Sequence, residues 1–288
     1  MKKDLIYRIQ AFALLFFFRL LGLLPIGLAS TFGGIMGCAI GPFFSAHRTA
    51  RKNLRMVFPD MSERDLRRLT DRMWEHFGRV GAEYAFLASG RLAGRVVVEG
   101  VEHLPAPGQA ALIFTGHIGN WELLPPIMFE QGVAPTIVYR HTNNPYVDGI
   151  IADARRPHVS ELIQKGLRGG IKILGALKRG QAVAMLIDQK QNNGIAVPLF
   201  GRDAMTSPAI AEIALKYNIP IIPARIIRTD GCNFKATVYP AVQFTKTENH
   251  KDDVKRLMLE LHGILEGWIH AHPEQWFWVH RRWPKETT

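Results

Sequence analysis

Residues 110–126 read AALIFTGHIGNWELLPP, and this stretch decides the fold. The apolar run from Ala110 to Phe114 predicts a buried strand, Thr115-Gly116 a tight exit, and the segment carrying His117 and Glu122 the start of a helix. On the first turns of a helix the two titratable residues fall roughly on one side, so the carboxylate can reach back to the imidazole. A carboxylate held on one ring nitrogen fixes the tautomer and makes the other nitrogen a better base. Gly116 and Gly119 clear side chains from around the histidine, which leaves space for a substrate and for backbone N–H groups at Gly119 and Asn120 to face an oxyanion. A strand-to-helix turn with a capping histidine and a surface glutamate shows the same pair by chance, so the rest of the chain must decide.

Outward from this stretch, composition narrows the classes. The 288 residues are enough for one large α/β domain, and no linker divides them. Lys+Arg number 36 against 25 Asp+Glu, a formal net charge of +11 that suits an anionic membrane face, nucleic acid, or acidic substrates and carriers. Cys38 and Cys232 are too few and too far apart for a disulfide framework, which fits reducing surroundings. The amino terminus favours membrane over nucleic acid. From Leu5 to Ala29 the chain is largely apolar, long enough to enter a bilayer, where a spanning helix needs roughly 20 residues. Arg19 and Pro25 leave a helix lying in the interface as an equal alternative. Gly33, Gly37 and Gly41 recur every fourth residue, as in a close helix crossing or a glycine-rich turn. HRTARKNLR, His47 to Arg55, then places positive charge against cytoplasmic headgroups. Residues 1–45 are thus expected to be a membrane anchor and residues 46–288 an α/β domain in the cytosol.

From Ser62 to Leu87 a capping-box-like start and apolar residues at three- and four-residue spacing predict an amphipathic helix with Arg64, Arg67, Arg68 and Arg72 on its first turns. Beyond Gly90, short apolar runs alternate with helical segments. Strands are expected near 96–99, 110–114, 135–139, 182–187, 219–227 and 234–239, with helices over 122–131, 166–178, 207–217 and 252–270. This is the pattern of an α/β fold whose sheet is flanked by helices. Arg140 ends one strand before an Asn143-Asn144-Pro145 turn, placed to meet an anion. Asp188 and Gln189 end another strand, and Phe200-Gly201-Arg202 turns into the helix at Ser207. No glycine-rich phosphate loop is present, and His262, His270, His272 and His280 make no recognisable zinc pattern, so neither cofactor nor metal is expected. The aromatic carboxyl-terminal stretch PEQWFWVHRRW suggests an interfacial edge under lipid, with core packing slightly more expected for Phe277 than for the tryptophans.

NLRMVFPD, GHIGNWE, YRHTNNP, LIDQ, VPLFG and PEQWFWVHRRW, in this order, resemble the lysophospholipid acyltransferase superfamily, and within it the late lauroyl and myristoyl acyltransferases of bacterial lipid A synthesis. The resemblance runs from the amino-terminal apolar segment to Trp283. It implies a glycerol-3-phosphate-acyltransferase-like mixed α/β sheet and a catalytic H-x4-E pair, His117 with Glu122. It also implies substrate contacts at Arg140, at Arg155 or Arg156, and at Asp188 with Gln189; Gly119, Asn120 and Gly201 complete the candidate substrate-binding set. The implied enzyme sits at the cytoplasmic face of the bacterial inner membrane, takes acyl groups from acyl carrier protein, and passes them to a lipid acceptor without nucleic acid or metal. In the expected chemistry His117 removes a proton from the acceptor hydroxyl, Glu122 orients the ring, and no acyl-enzyme forms. Competing readings are transfer to a lysophospholipid or lyso-ornithine lipid from acyl carrier protein or acyl-CoA, thioester hydrolysis, and a non-catalytic basic membrane scaffold.

Overall fold

The computed structural model describes residues 2–284. Helices α1 (Lys2–Gly22) and α2 (Ile26–Ile40) are joined by a turn at Leu23–Pro25, where proline removes the N–H that would continue the first helix. Segments Lys3–Gly22 and Ile26–Phe43 are long and apolar enough to cross a membrane. Leu5, Ile9, Phe12, Phe16, Leu28 and Phe43 lie exposed on them, and Leu23 in the turn between. The basic segment forms α3 (Ser45–Val57), and the amphipathic pattern forms α4 (Glu63–Glu83), which Ser62 caps by accepting the Asp65 N–H. The glycine spacing reports a close crossing of α2 on α4: a Cβ on Gly33 would lie 2.4 Å from the Gly78 carbonyl oxygen, and one on Gly37 2.1 Å from that of Trp74.

The sheet begins with β1 (Val96–Glu99) and β2 (Ala111–Thr115); α5 (Leu124–Glu130), β3 (Thr136–Tyr139), α6 (Pro145–Arg155), β4 (Glu161–Gln164), α7 (Leu167–Lys178) and β5 (Ala182–Leu186) follow. The hairpin β6 (Ile195–Leu199) and β7 (Arg202–Thr206) precedes α8 (Ala209–Tyr217), β8 (Ile221–Asp230), β9 (Asn233–Val238) and α9 (His250–Ala271). A seven-stranded sheet runs β1-β9-β8-β2-β5-β3-β4. All neighbours are parallel except β8 and β9, so the expected mixed sheet is present. β2 is buried throughout because both faces of the sheet are covered. Leu112 and Phe114 pack with α9 residues such as Leu261 and Leu265, and Ala111 and Ile113 with α5 residues such as Ile127.

Parallel order decides where the chemistry gathers. β2, β3, β4, β5 and β8 point their carboxyl ends to one edge, delivering His117, Arg140, Lys165, Asp188 and Arg228 there. Several local expectations change. Phe200 and Gly201, both at positive φ (52° and 68°), close the β6–β7 hairpin rather than leading directly into a helix. Asn144 caps α6 by accepting the Tyr146 and Val147 N–H groups, so the Asn-Pro turn starts a helix that ends at Arg155. The tryptophans of the closing stretch are core: Trp276, Trp278 and Trp283 are buried, and Phe277 is the partly exposed one. The expected preference is thus reversed.

Candidate active site

His117 lies in a loop, not on a helix. After β2 the chain passes through residues 116–120, makes a tight turn over Trp121–Leu123, and enters α5 only at Leu124. Pro125 and Pro126 favour this late start, since residues without an N–H fit the first turn, where no helical acceptor exists. Gly119 supplies the bend with φ +57°, and a Cβ there would stand 1.8 Å from the Ile226 carbonyl oxygen. Without a shared helical face the expected His117–Glu122 contact has no geometric basis. Each residue has another partner.

The ring of His117 is held by Asp188, whose Oδ1 is 2.7 Å from Nδ1, while Oδ2 accepts the His117 backbone N–H at 2.6 Å. Strand order explains the pairing, because β5 lies beside β2 with Thr115 opposite Leu186. Trp276 Nε1 donates to the same Oδ2 at 2.8 Å. Burial pushes the Asp188 carboxyl up, but the neighbouring His117 and these hydrogen bonds bring it well below the ordinary carboxylate range. An ionised Asp188 requires the His117 proton on Nδ1 and leaves the Nε2 lone pair facing outward. The side-chain amide of Gln189 sits 3.2 Å from that nitrogen.

Glu122 is buried and forms a forked pair with Arg155, Nε to Oε2 at 2.8 Å and Nη2 to Oε1 at 2.5 Å. Trp121 Nε1 donates to Oε1 at 2.9 Å, and Arg155 Nη2 reaches the Tyr84 hydroxyl at 3.1 Å. Burial raises the Glu122 pKa, but the charge and hydrogen bonds of Arg155 more than offset it, so the carboxyl stays ionised. The choice between the neighbouring arginines is thereby made: Arg155 enters the site, whereas Arg156 is exposed and pairs with Asp153.

These groups line a cavity of about 500 Å³, within the usual range for ligand pockets. Ile113, Leu124, Met128, Ile137, Ile173 and Ile210 contribute to an apolar wall, and His117, Glu122, Arg140, Arg155, Lys165 and Gln189 are the polar residues that matter to its chemistry. Burial lowers the Lys165 pKa and the nearby positive charge of Arg140 lowers it further, so the cavity holds two cations that repel each other. The buried Thr115 hydroxyl also lines the cavity and has no hydrogen-bond partner among the described residues.

Other expected site residues lie elsewhere. The Gly119 N–H donates to the Gln275 carbonyl at 3.0 Å and is not free for an oxyanion. The Asn120 side chain is buried against Glu83. Gly201 is exposed at the hairpin tip, outside the cavity. Within the closing PEQWFWVHRRW stretch, Arg282 is fully buried, donating to Thr206 Oγ1 at 2.6 Å and the Met205 carbonyl at 3.0 Å. The late histidines have separate structural partners: His262 contacts the Pro198 carbonyl at 2.7 Å, and His280 Nε2 accepts the Lys190 N–H at 3.1 Å. Sequence reading gave Lys165, Thr115, Tyr84 and Trp276 no site role: Lys165 and Tyr84 sit in segments of ordinary composition, Thr115 read as a strand exit and Trp276 as part of an interfacial edge. Only the topology brings them to the cavity or its partners.

The profile of the family described as bacterial lipid A biosynthesis acyltransferase matches residues 2–285. The chain is 29% identical over 267 residues to a lipid A biosynthesis lauroyltransferase of Escherichia coli K12, covering 86% of this chain and 83% of the relative. It is 24% identical over 272 residues to a lipid A biosynthesis palmitoleoyltransferase of the same organism, covering 90% and 86%. A solved structure, the 1-acyl-sn-glycerophosphate acyltransferase of Thermotoga maritima, aligns at 14% identity with a TM-score of 0.42 over 85% of this chain and 98% of that one. With the family profile spanning nearly its whole length, the chain belongs to the bacterial lipid A biosynthesis acyltransferases.

Proposed function

We propose that this acyltransferase moves a fatty acyl chain from acyl carrier protein to a hydroxyl of a lipid A precursor, with His117 as general base. The observation that carries the reading is the Asp188–His117 pair at the polar part of an apolar cavity. The acceptor hydroxyl takes the place of the Gln189 amide at Nε2 and attacks the thioester carbonyl carbon as its proton passes to His117. The tetrahedral intermediate collapses with cleavage of the C–S bond, and the imidazolium returns the proton to the leaving sulfur. Asp188 orients the ring and stabilises its cationic form, the role the sequence suggested for Glu122. Glu122 instead fixes Arg155 and the cavity wall. Since the Gly119 N–H is occupied, the oxyanion donors proposed are the Thr115 hydroxyl and the Gln189 amide. Neither cysteine lines the cavity, which supports direct transfer without an acyl-enzyme.

The donor and the location rest on charge and exposure. Arg140 and Lys165 supply an anion-attracting end suited to the phosphate of a carrier's pantetheine arm or of a lipid headgroup. The exposed apolar faces of α1 and α2 beside the basic α3 support seating on the cytoplasmic face of the inner membrane, with residues 1–45 as the anchor. The test uses purified protein in detergent with labelled acyl chains of several lengths on acyl carrier protein and a tetra-acylated lipid A precursor. A labelled penta-acylated product, absent with His117→Ala, is expected. Label appearing instead on an added lysophospholipid or ornithine lipid would replace the acceptor, label released only as free fatty acid would mean hydrolysis, and product unaffected by His117→Ala would remove the histidine from the mechanism.

A further inference from the structure

Beneath the catalytic loop lies a buried polar network that the transfer chemistry does not use. Glu83, at the end of α4, is buried and meets Arg228 of β8 through two contacts, Nη1 to Oε1 at 2.5 Å and Nη2 to Oε2 at 2.8 Å. The remaining capacity of the carboxylate is filled from two sides: Ser30 of α2 donates to Oε1 at 2.7 Å, and Asn120 Nδ2 donates to Oε2 at 2.8 Å. His76, about two helical turns before Glu83 on α4, is also buried, with Nε2 3.0 Å from the Gly119 carbonyl oxygen and Nδ1 3.3 Å from Arg228 Nε. A carbonyl oxygen only accepts and a guanidinium N–H only donates. The ring must therefore carry its proton on Nε2, and Arg228 selects that tautomer.

The atoms gripped here belong to the five residues between β2 and the turn at Trp121. His76 holds the Gly119 carbonyl, the Gln275 carbonyl holds the Gly119 N–H, and Glu83 holds the Asn120 side chain. Gly119 is the left-handed residue at which the loop bends between His117 and the turn at Trp121. With the N–H of the peptide before Gly119 and the carbonyl of the peptide after it both held, neither peptide plane can rotate without breaking a buried hydrogen bond.

We infer that His76 is a positioning residue for the acyl-transfer reaction: through the Gly119 carbonyl it fixes the loop that aims His117, and the Glu83–Arg228 pair with Ser30 ties that loop to α2. The inference rests on the proposed role of His117, but the state of the loop can be read without it. Seating of the membrane-facing helix and the geometry of the base are then one connected structure, since Ser30 lies on the helix that crosses α4 through Gly33 and Gly37.

The test compares the full-length wild type with His76→Phe, which keeps ring volume but has no ring N–H, and His76→Gln, whose amide can again donate to Gly119. Hydrogen exchange of peptides covering residues 117–122 is measured in detergent beside acyl transfer, with thermal unfolding to verify folding. His76→Phe is expected to speed loop exchange about tenfold or more, the scale of one lost hydrogen bond. It should also lower kcat by a similar factor with KM for donor and acceptor within about threefold, and His76→Gln should recover most of both. Where Phe does not fold, the more adaptable His76→Met takes its place. Loop exchange equal to wild type overturns the inference whatever the activity, as does faster loop exchange with unchanged kcat. A general loss of folded protein would speed exchange throughout the sheet and would not be rescued by Gln, which also overturns it. A wild type that transfers no acyl group overturns the proposed function instead, while the loop exchange still decides whether His76 holds the loop.

Discussion

His117 shows how far one residue's role depends on a neighbour distant in sequence. Both Asp188 and Glu122 are buried carboxylates, yet one touches the ring and the other an arginine, so their substitutions have different signatures. Asp188→Asn should lower kcat about 10³-fold with the protein folded, as expected when a general base loses its orienting anion; steady-state kinetics beside a thermal melt checks this. Glu122→Gln leaves Arg155 buried without a counter-charge, a change that typically costs about 3–5 kcal/mol. Its first symptom should be a lower melting temperature, and a Glu122→Gln protein as stable as wild type would count against the pair's structural role. At this scale the H-x4-E spacing named two residues that the fold brings to one cavity. It assigned them to each other because a helical register was assumed where Gly119 and the two prolines produce a loop.

At the scale of elements, periodicity was legible wherever an element packs one apolar face. The amphipathic pattern of α4 and the apolar run of β2 both read through to the structure. The short β4, β6 and β7 were not legible, since four or five residues with a proline or charges among them carry too little alternation. The α2–α4 crossing offers a direct check. Gly37→Leu places a side chain where its first carbon already meets the Trp74 carbonyl oxygen at 2.1 Å, so the helices must separate. A loss of about 1–3 kcal/mol of stability is expected, read as a lower thermal midpoint in detergent, with no change from Gly81→Leu, whose Cβ position is open.

For the whole molecule, two properties follow from where charge and apolar surface lie. Burial lowers His76 to about 3 and His262 and His280 to about 4, with Arg228 adding to the effect at the first and Arg282 at the other two. In the unfolded chain these rings titrate near ~6.5. Below that pH the unfolded state binds protons that the folded state refuses, so stability rises with pH between about 4 and 6.5 and falls as acid is added, by up to about 1.4 kcal/mol per pH unit for each ring. The depressed Asp188 and Glu122 act in the same direction at lower pH, since their contribution is present above the unfolded carboxylate pKa and disappears as pH falls toward their folded values. Thermal midpoints at pH 7 and pH 5 should differ by several degrees, and equal midpoints would contradict the assignment. The second is the proposed membrane seating. Phe12→Asp with Phe16→Asp, on the exposed face of α1, should release most of the protein from anionic vesicles in a flotation assay, whereas salt alone should release less.

The chain's local sequence determined the longer elements, the α/β class, the apolar amino terminus and the strand and helix that bound the 110–126 stretch, because periodicity, proline and glycine act within a few residues of themselves. Tertiary structure decided which carboxylate serves His117, which of two adjacent arginines enters the cavity, and that the closing tryptophans and Arg282 are interior. Those outcomes depend on strand order. With β5 beside β2, Asp188 stands next to His117, while α6 carries Arg155 inward to Glu122 and turns Arg156 to solvent. No spacing along the chain encodes such neighbours; they exist only once the sheet has assembled and brought residues far apart in sequence to the same edge.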